Sequence, residues 1–209
     1  MEESVFCMGE RMDKKLLPKG FFSKNPLKKM SAAQIAYFSM DIAFDEEIHE
    51  VIFDQIAEDI DIERMEKIQS EAEKISQLKS GEQIVRFMRT EYDIINRWKL
   101  CQKALSMQEE VVPLMLQRLR TNKQDMFIES SIQILAYCEP VYLEQLKAMY
   151  HEIRNPYTQS MACLVFGMRH EEDTLQLLLE EYERFKKEYV EEDFSQGPLL
   201  AINILYGKA

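Results

Sequence analysis

Glu46 and His49 stand three residues apart, the spacing that puts a carboxylate and an imidazole on one turn of a helix. Helical di-iron sites use such a pair from each of two helices. This chain has no second Glu-x-x-His, and neither His151 nor His170 has a glutamate three positions earlier. With half a site, the expected reading of Glu46 and His49 is an ordinary solvated helix surface. His170-Glu171-Glu172-Asp173 is denser in ligand-type groups, but it follows an apolar run and precedes Leu175, Leu177, Leu178 and Leu179. A turn that sets carboxylates at the positive start of the next helix explains it. The zinc-protease order His-Glu-x-x-His, the phosphate-cradling glycine patterns and the nucleophile elbow are all absent. Cys7, Cys101, Cys138 and Cys163 lie far apart with no Cys-x-x-Cys pair, three of them within apolar helical runs, and read as buried reduced thiols. No spacing joins one of them to a histidine. The expectation is therefore no catalytic residue, no metal and no cofactor.

The surroundings of these residues narrow the function further. In 209 residues, 26 Lys and Arg stand against 37 Asp and Glu, a net charge of -11 that repels phosphate backbones. The same charge draws in a basic protein, with an attraction that weakens in salt. Hydrophobic residues make up 46% and charged residues 30%, enough for a large core in a soluble body. The acidic start Met1-Glu-Glu-Ser-Val-Phe-Cys does not resemble a secretory signal, and no run approaches the roughly 18 apolar residues of a membrane span. A cytoplasmic location without membrane contact is expected.

The six glycines and six prolines fall mostly between segments of helical periodicity, and no stretch alternates with period two. The class expected is all-α. Residues 1–30 form an irregular basic arm or cap, broken at Pro18, Gly20 and Pro26 and carrying Lys14, Lys15, Lys19, Lys24, Lys28 and Lys29 beside Phe21 and Phe22. Residues 31–80 read as a helical N-terminal region, with Ser31 as an N-cap and a second start at Asp45. Its last helix carries a narrow stripe of Met65, Ile68, Ala72, Ile75 and Leu78, suited to one neighbour. Ser80-Gly81 is read as its end. The thirteen methionines mostly occupy apolar helical positions, which predicts core filling.

Residues 81–209 are repetitive. Ser131-Ile132-Gln133-Ile134-Leu135-Ala136-Tyr137 is matched 29 residues later by Ser160-Met161-Ala162-Cys163-Leu164-Val165-Phe166. Leu164-Val165-Phe166-Gly167 is echoed 40 residues on by Ile204-Leu205-Tyr206-Gly207. Val112, Met115 and Leu119 precede Leu143, Leu146 and Tyr150 by 31 residues, and these precede Leu175, Leu178 and Tyr182 by 32. Two interleaved helix series with one approximate period resemble a HEAT-repeat array. The resemblance implies a right-handed superhelix of antiparallel helix pairs, continuous with residues 31–80, in which the second helix of each pair lines the concave face. Pro113 and Pro140 are placed in the first turns of those second helices.

A non-catalytic interaction module or scaffold for a protein partner, a basic one given the charge, is the leading expectation. Arg118, Glu144, Lys147, His151 and Glu183 fall between the apolar positions of the second helices and are the expected binding surface. The acidic run Glu180, Glu181, Glu183, Glu188, Glu191, Glu192 and Asp193 reads as a solvated face. One alternative is a HEAT-like nucleic-acid-binding protein resembling the DNA glycosylases, for which Tyr92, Asp93 and Trp98 are the local candidates. Another is a metal-dependent helical enzyme built on Glu46 and His49.

Overall fold

The computed structural model describes residues 62–90 and 94–206, and every described element is helical. The order is α1 (Ile62–Ser76), α2 (Gly81–Phe87), α3 (Ile94–Leu105), α4 (Gln108–Leu119), α5 (Asp125–Tyr137), α6 (Pro140–Met149), α7 (Pro156–Met168), α8 (Leu175–Glu188) and α9 (Gln196–Tyr206). Single turns of 3₁₀ helix at Tyr150–Glu152, Glu172–Thr174 and Asp193–Ser195 lead out of α6 and into α8 and α9. The expected starts at Ser31 and Asp45, and the basic arm, lie outside the described residues.

Local chemistry sets the boundaries. Ser80, expected to close α1, instead caps α2: its side chain accepts from the Gln83 N–H at 3.3 Å. Asn155 caps α7 through the Tyr157 N–H at 3.1 Å, with Pro156 in the first turn, where its missing N–H has no partner to lose. Pro140 likewise opens α6. Pro113 departs from expectation, because α4 begins at Gln108 and the proline lies inside the helix. Pro113 and Glu109 are both exposed, so the Glu109 carbonyl, which loses its intrahelical donor, lies on the solvent side of α4 where water can replace it.

Packing joins alternate helices. α1 meets α3, α3 meets α5, α5 meets α7 and α7 meets α9; beside this row, α2 meets α4 and α4 meets α6. The two rows differ in burial as they differ in composition. Residues 130–136 of α5, 162–167 of α7 and 197–203 of α9 are buried without a break, whereas α4 buries one stripe of Val111, Val112, Met115, Leu116 and Leu119. α6 does the same with Tyr142, Leu143, Leu146 and Met149. At about 1.5–3 kcal/mol for each fully buried large apolar side chain, both rows contribute to the core, the odd-numbered helices from nearly all round and the even-numbered ones from one stripe. The even-numbered row turns one face to solvent. Serines inside the buried row are satisfied by carbonyls: Ser131 Oγ donates to Phe127 O at 2.7 Å and Ser160 Oγ to Phe194 O at 2.6 Å.

Polar ties between elements join residues 29 to 33 positions apart. Gly81 N–H donates to Glu110 over 29 residues, Gln108 and Glu139 exchange two bonds over 31, and Arg169 reaches Ala136 O over 33. α7 and α9 approach most closely through small residues. A Cβ at Gly167 would stand 2.7 Å from Ala201 Cβ, and one at Gly197 would stand 2.6 Å from the Ser160 carbonyl carbon. Gly197→Ala is expected to push these helices apart and cost about 1–3 kcal/mol in urea denaturation. A loss under about 0.5 kcal/mol would show that the contact is looser than described.

α7 ends in a Schellman turn in which His170 takes the left-handed position, φ 54°, that glycine ordinarily fills. The Glu171 N–H donates to Phe166 O at 2.9 Å and the His170 N–H to Gly167 O at 3.1 Å. His170→Gly is expected to relieve the Cβ strain and raise stability by about 0.5–1 kcal/mol, read as a higher melting temperature.

Candidate protein-binding face

The five residues expected at a binding surface fall into different settings. Arg118 on α4 turns toward α2 and pairs with Glu82 at 3.2 Å. Lys147 on α6 is a clamp: its ammonium lies 2.9 Å from Glu144, 2.7 Å from Glu171 and 3.0 Å from Asp173, tying α6 to the turn before α8. Burial by itself would lower the pKa of this lysine, but hydrogen bonds to Glu171, Glu144 and Asp173 raise it above the ordinary lysine value. His151 is exposed, its ring edge-on to Tyr150 with centroids 5.4 Å apart. Glu183 is exposed on α8. The structure thus brings Glu144 and Lys147 together, occupies Arg118 elsewhere, and joins neither His151 nor Glu183 to the other three by any hydrogen bond or ion pair among the described residues.

The cleft on this side of the molecule is lined by the residue next to four of those five. Between α4 and α6 opens a depression of about 300 Å³ with Leu116 and Met149 at its floor, Pro113 and Ala148 on its walls, and Gln117 and Gln145 at its rim. Arg120 and Glu152 close one end, 3.1 Å apart. Pro113 and Gln117 on α4 and Gln145 and Ala148 on α6 are exposed, uncharged lining positions, continued by Val141 one turn before Gln145 and bordered by the exposed Glu109, Glu110 and Glu144. Val141 is 53% exposed, and only Val190, at 79%, is also a large exposed hydrophobic among the described residues. On α8, by contrast, the exposed side includes Glu180, Glu183, Lys186 and Lys187. In a chain with 30% charged residues, an exposed uncharged patch ringed by charged side chains has the composition of an interface core with its polar rim.

No protein-family model, curated protein or solved structure matches this chain.

A second polar cluster lies inside. The Tyr150 hydroxyl donates to Glu181 at 2.9 Å and stands 3.2 Å from Cys163 Sγ. Arg184 binds the same carboxylate, with Nε 3.1 Å from Oε1 and Nη2 in close contact with Oε2, and donates to Gln159 Oε1 at 2.7 Å. Tyr150 and Cys163 are fully buried and Glu181 nearly so, which sets it apart from the solvated acidic run to which its position assigned it. Burial, ahead of every other influence, pushes the Tyr150 phenol far up and the Cys163 thiol to about 12. Cys101 and Cys138 are also buried and free, burial raising Cys138 to about 11 and Cys101 further. Protonated thiols out of reach of solvent are core groups, not nucleophiles.

The remaining candidates fare differently. Trp98 is half-buried and meets Tyr137 edge-on at 5.2 Å; Tyr92 and Asp93 lie outside the described residues, as do Glu46 and His49. Among the described residues no cluster of three His, Cys, Asp or Glu could hold a metal ion, and no helix is long and apolar enough to cross a membrane.

Sequence reasoning missed Gln117, Gln145, Ala148 and Glu152 by one position each. A gap between apolar positions defines a wide solvent side of a helix, and only packing shows which part of it turns toward the next helix. The signal available was charge: Val141, Gln145 and Ala148 are uncharged at exposed helical spacing, where solvated faces carry Lys and Glu.

Proposed function

We propose that this protein is a non-catalytic protein-interaction module, a HEAT-like right-handed superhelix in which the even-numbered helices are the second members of their pairs and present the docking face. The observation that carries the reading is the uncharged strip over the α4–α6 cleft, exposed in a strongly acidic chain. The alternation of contacts between helices and the polar ties at nearly one repeat support the array. The exposed acids Glu180, Glu183, Glu188, Glu191, Glu192 and Asp193 favour a partner with a basic rim and speed its approach at low salt.

Tagged full-length protein, used to capture partners at low and high salt, tests this directly. A discrete protein captured by the natural chain and lost on Gln117→Arg with Gln145→Arg supports the face; capture indifferent to that double substitution removes it. Recovery of nucleic acid in place of protein would overturn the reading.

A further inference from the structure

We infer that the groove between the end of α1 and α2 is a separate docking site for an acidic peptide segment of a partner protein. One large apolar side chain of the peptide enters the groove, and carboxylates on either side of it meet Lys74 and Arg86. The groove has a volume of about 360 Å³, at the lower end of the range for pockets that hold a ligand. Its floor is Leu78 and Phe87, both half-buried and packed against the core. Lys74 and Arg86, both exposed, are its only charged lining, and no carboxylate lines it. An apolar floor and a cationic rim on one patch complement a peptide whose hydrophobic residue is flanked by acids.

Lys74 and Arg86 stand without partners. In a chain with 37 Asp and Glu against 26 Lys and Arg, carboxylates are in excess, and cations that join elements elsewhere are taken. Arg118 pairs with Glu82, Arg120 with Glu152, and Lys147 with three carboxylates. Lys74 and Arg86 make no ion pair and no side-chain hydrogen bond among the described residues. Glu82, the one acid of α2, is held by Arg118 of α4, and Glu73, next to Lys74 in the chain, does not line the groove. Gln83 adds to the same polarity: its Oε1 already accepts from the Lys79 N–H at 2.7 Å, which leaves its NH₂ group to donate. The net charge of -11 acts at long range and is screened beyond about 8 Å at physiological ionic strength, so a carboxylate seated in the groove is governed by the two cations beside it.

Fluorescence anisotropy of a labelled pentapeptide, Glu-Glu-Leu-Glu-Glu, titrated with the full chain at physiological ionic strength tests this. Saturable binding is expected, and Lys74→Gln with Arg86→Gln should raise the dissociation constant more than about tenfold. Helical circular dichroism should be unchanged, since both side chains are exposed and unpaired. Lys99→Gln with Lys187→Gln removes the same charge from exposed positions on α3 and α8 and should leave binding within about twofold. Peptides with glutamine for every glutamate, or with alanine for the leucine, should each bind several-fold more weakly. A peptide that does not saturate at millimolar concentration overturns the proposal, as does binding that ignores Lys74 and Arg86. Equal loss in the two double variants would reduce the effect to net charge and overturn it too. Gln117→Arg with Gln145→Arg, on the α4–α6 face, should not abolish this binding, so that the two faces stand or fall separately.

Discussion

Glu181→Ala should lower the stability of this protein by about 3 kcal/mol, because it removes the acceptor on which a buried network converges. In the native chain Glu181 accepts from Tyr150 at 2.9 Å and from Arg184 Nε, and Arg184 passes the connection to Gln159 at 2.7 Å. Gln159 in turn donates to Ile153 O at 2.8 Å, so one network holds α7, α8 and the segment after α6. Alanine leaves the fully buried Tyr150 hydroxyl with poorer partners and Arg184 without its carboxylate. The guanidinium side chain is 28% exposed, so water compensates part of that loss, and the expected value sits at the low end of the range for broken buried pairs. Glu181→Gln keeps an acceptor for Tyr150 and should cost about half as much. Denaturant titration of both variants measures the difference; equal losses would mean that a neutral acceptor at this position restores nothing and that the contribution of Glu181 lies in its charge.

Alkaline pH should destabilise the chain steeply. The thiols of Cys138 and Cys163 ionise in the folded protein only at about 11 and about 12, and Cys101 higher still, against an ordinary value of 9.0. A folded pKa raised above the unfolded one gives stability that is complete below the unfolded value and is lost as pH rises, since the unfolded chain then binds fewer protons. The loss starts near pH 9 and continues to about 11 for Cys138 and about 12 for Cys163, at up to about 1.4 kcal/mol per pH unit for each thiol. Tyr150, also raised, adds to it above pH 10. Urea midpoints followed from neutral to alkaline pH should fall with a slope that Cys101→Ala and Cys163→Ala each reduce. A flat profile would mean that the thiols reach solvent.

Much of the fold could be read from residue spacing. The serine, leucine and aromatic shared by residues 131–137 and 160–166 mark two helices that pack together, α5 and α7, and Val112, Met115, Leu119, Leu143, Leu146 and Tyr150 are buried in the even-numbered row. Such positions are legible because burial selects apolar residues with the period of the helix. The start of α4 was not, since a proline signals a first turn by its spacing alone and Pro113 instead lies on an exposed position inside the helix. Glu181 was not legible either. Its sequence neighbours are exposed acids, and only the arrival of Tyr150 from 31 residues away makes it a core residue. Which side of α4 and of α6 borders the cleft was not legible, because only packing sets how each helix is turned.

The polar ties between elements have a consequence for how this molecule comes apart. Each helix is held chiefly by its near neighbours in the chain, so a disturbance at one end of the described body has no direct hold on the other and loosening can proceed stepwise, as a zip opens from its tab. The two ends of the described body are not alike. α1 rests on the narrow stripe of Ile68 and Ile75, whereas α9 is buried along residues 197–203 and locked to α7 by small-residue contacts that leave no room for a methyl group. The C-terminal pair is therefore expected to be among the last parts of the described body to exchange its amide hydrogens.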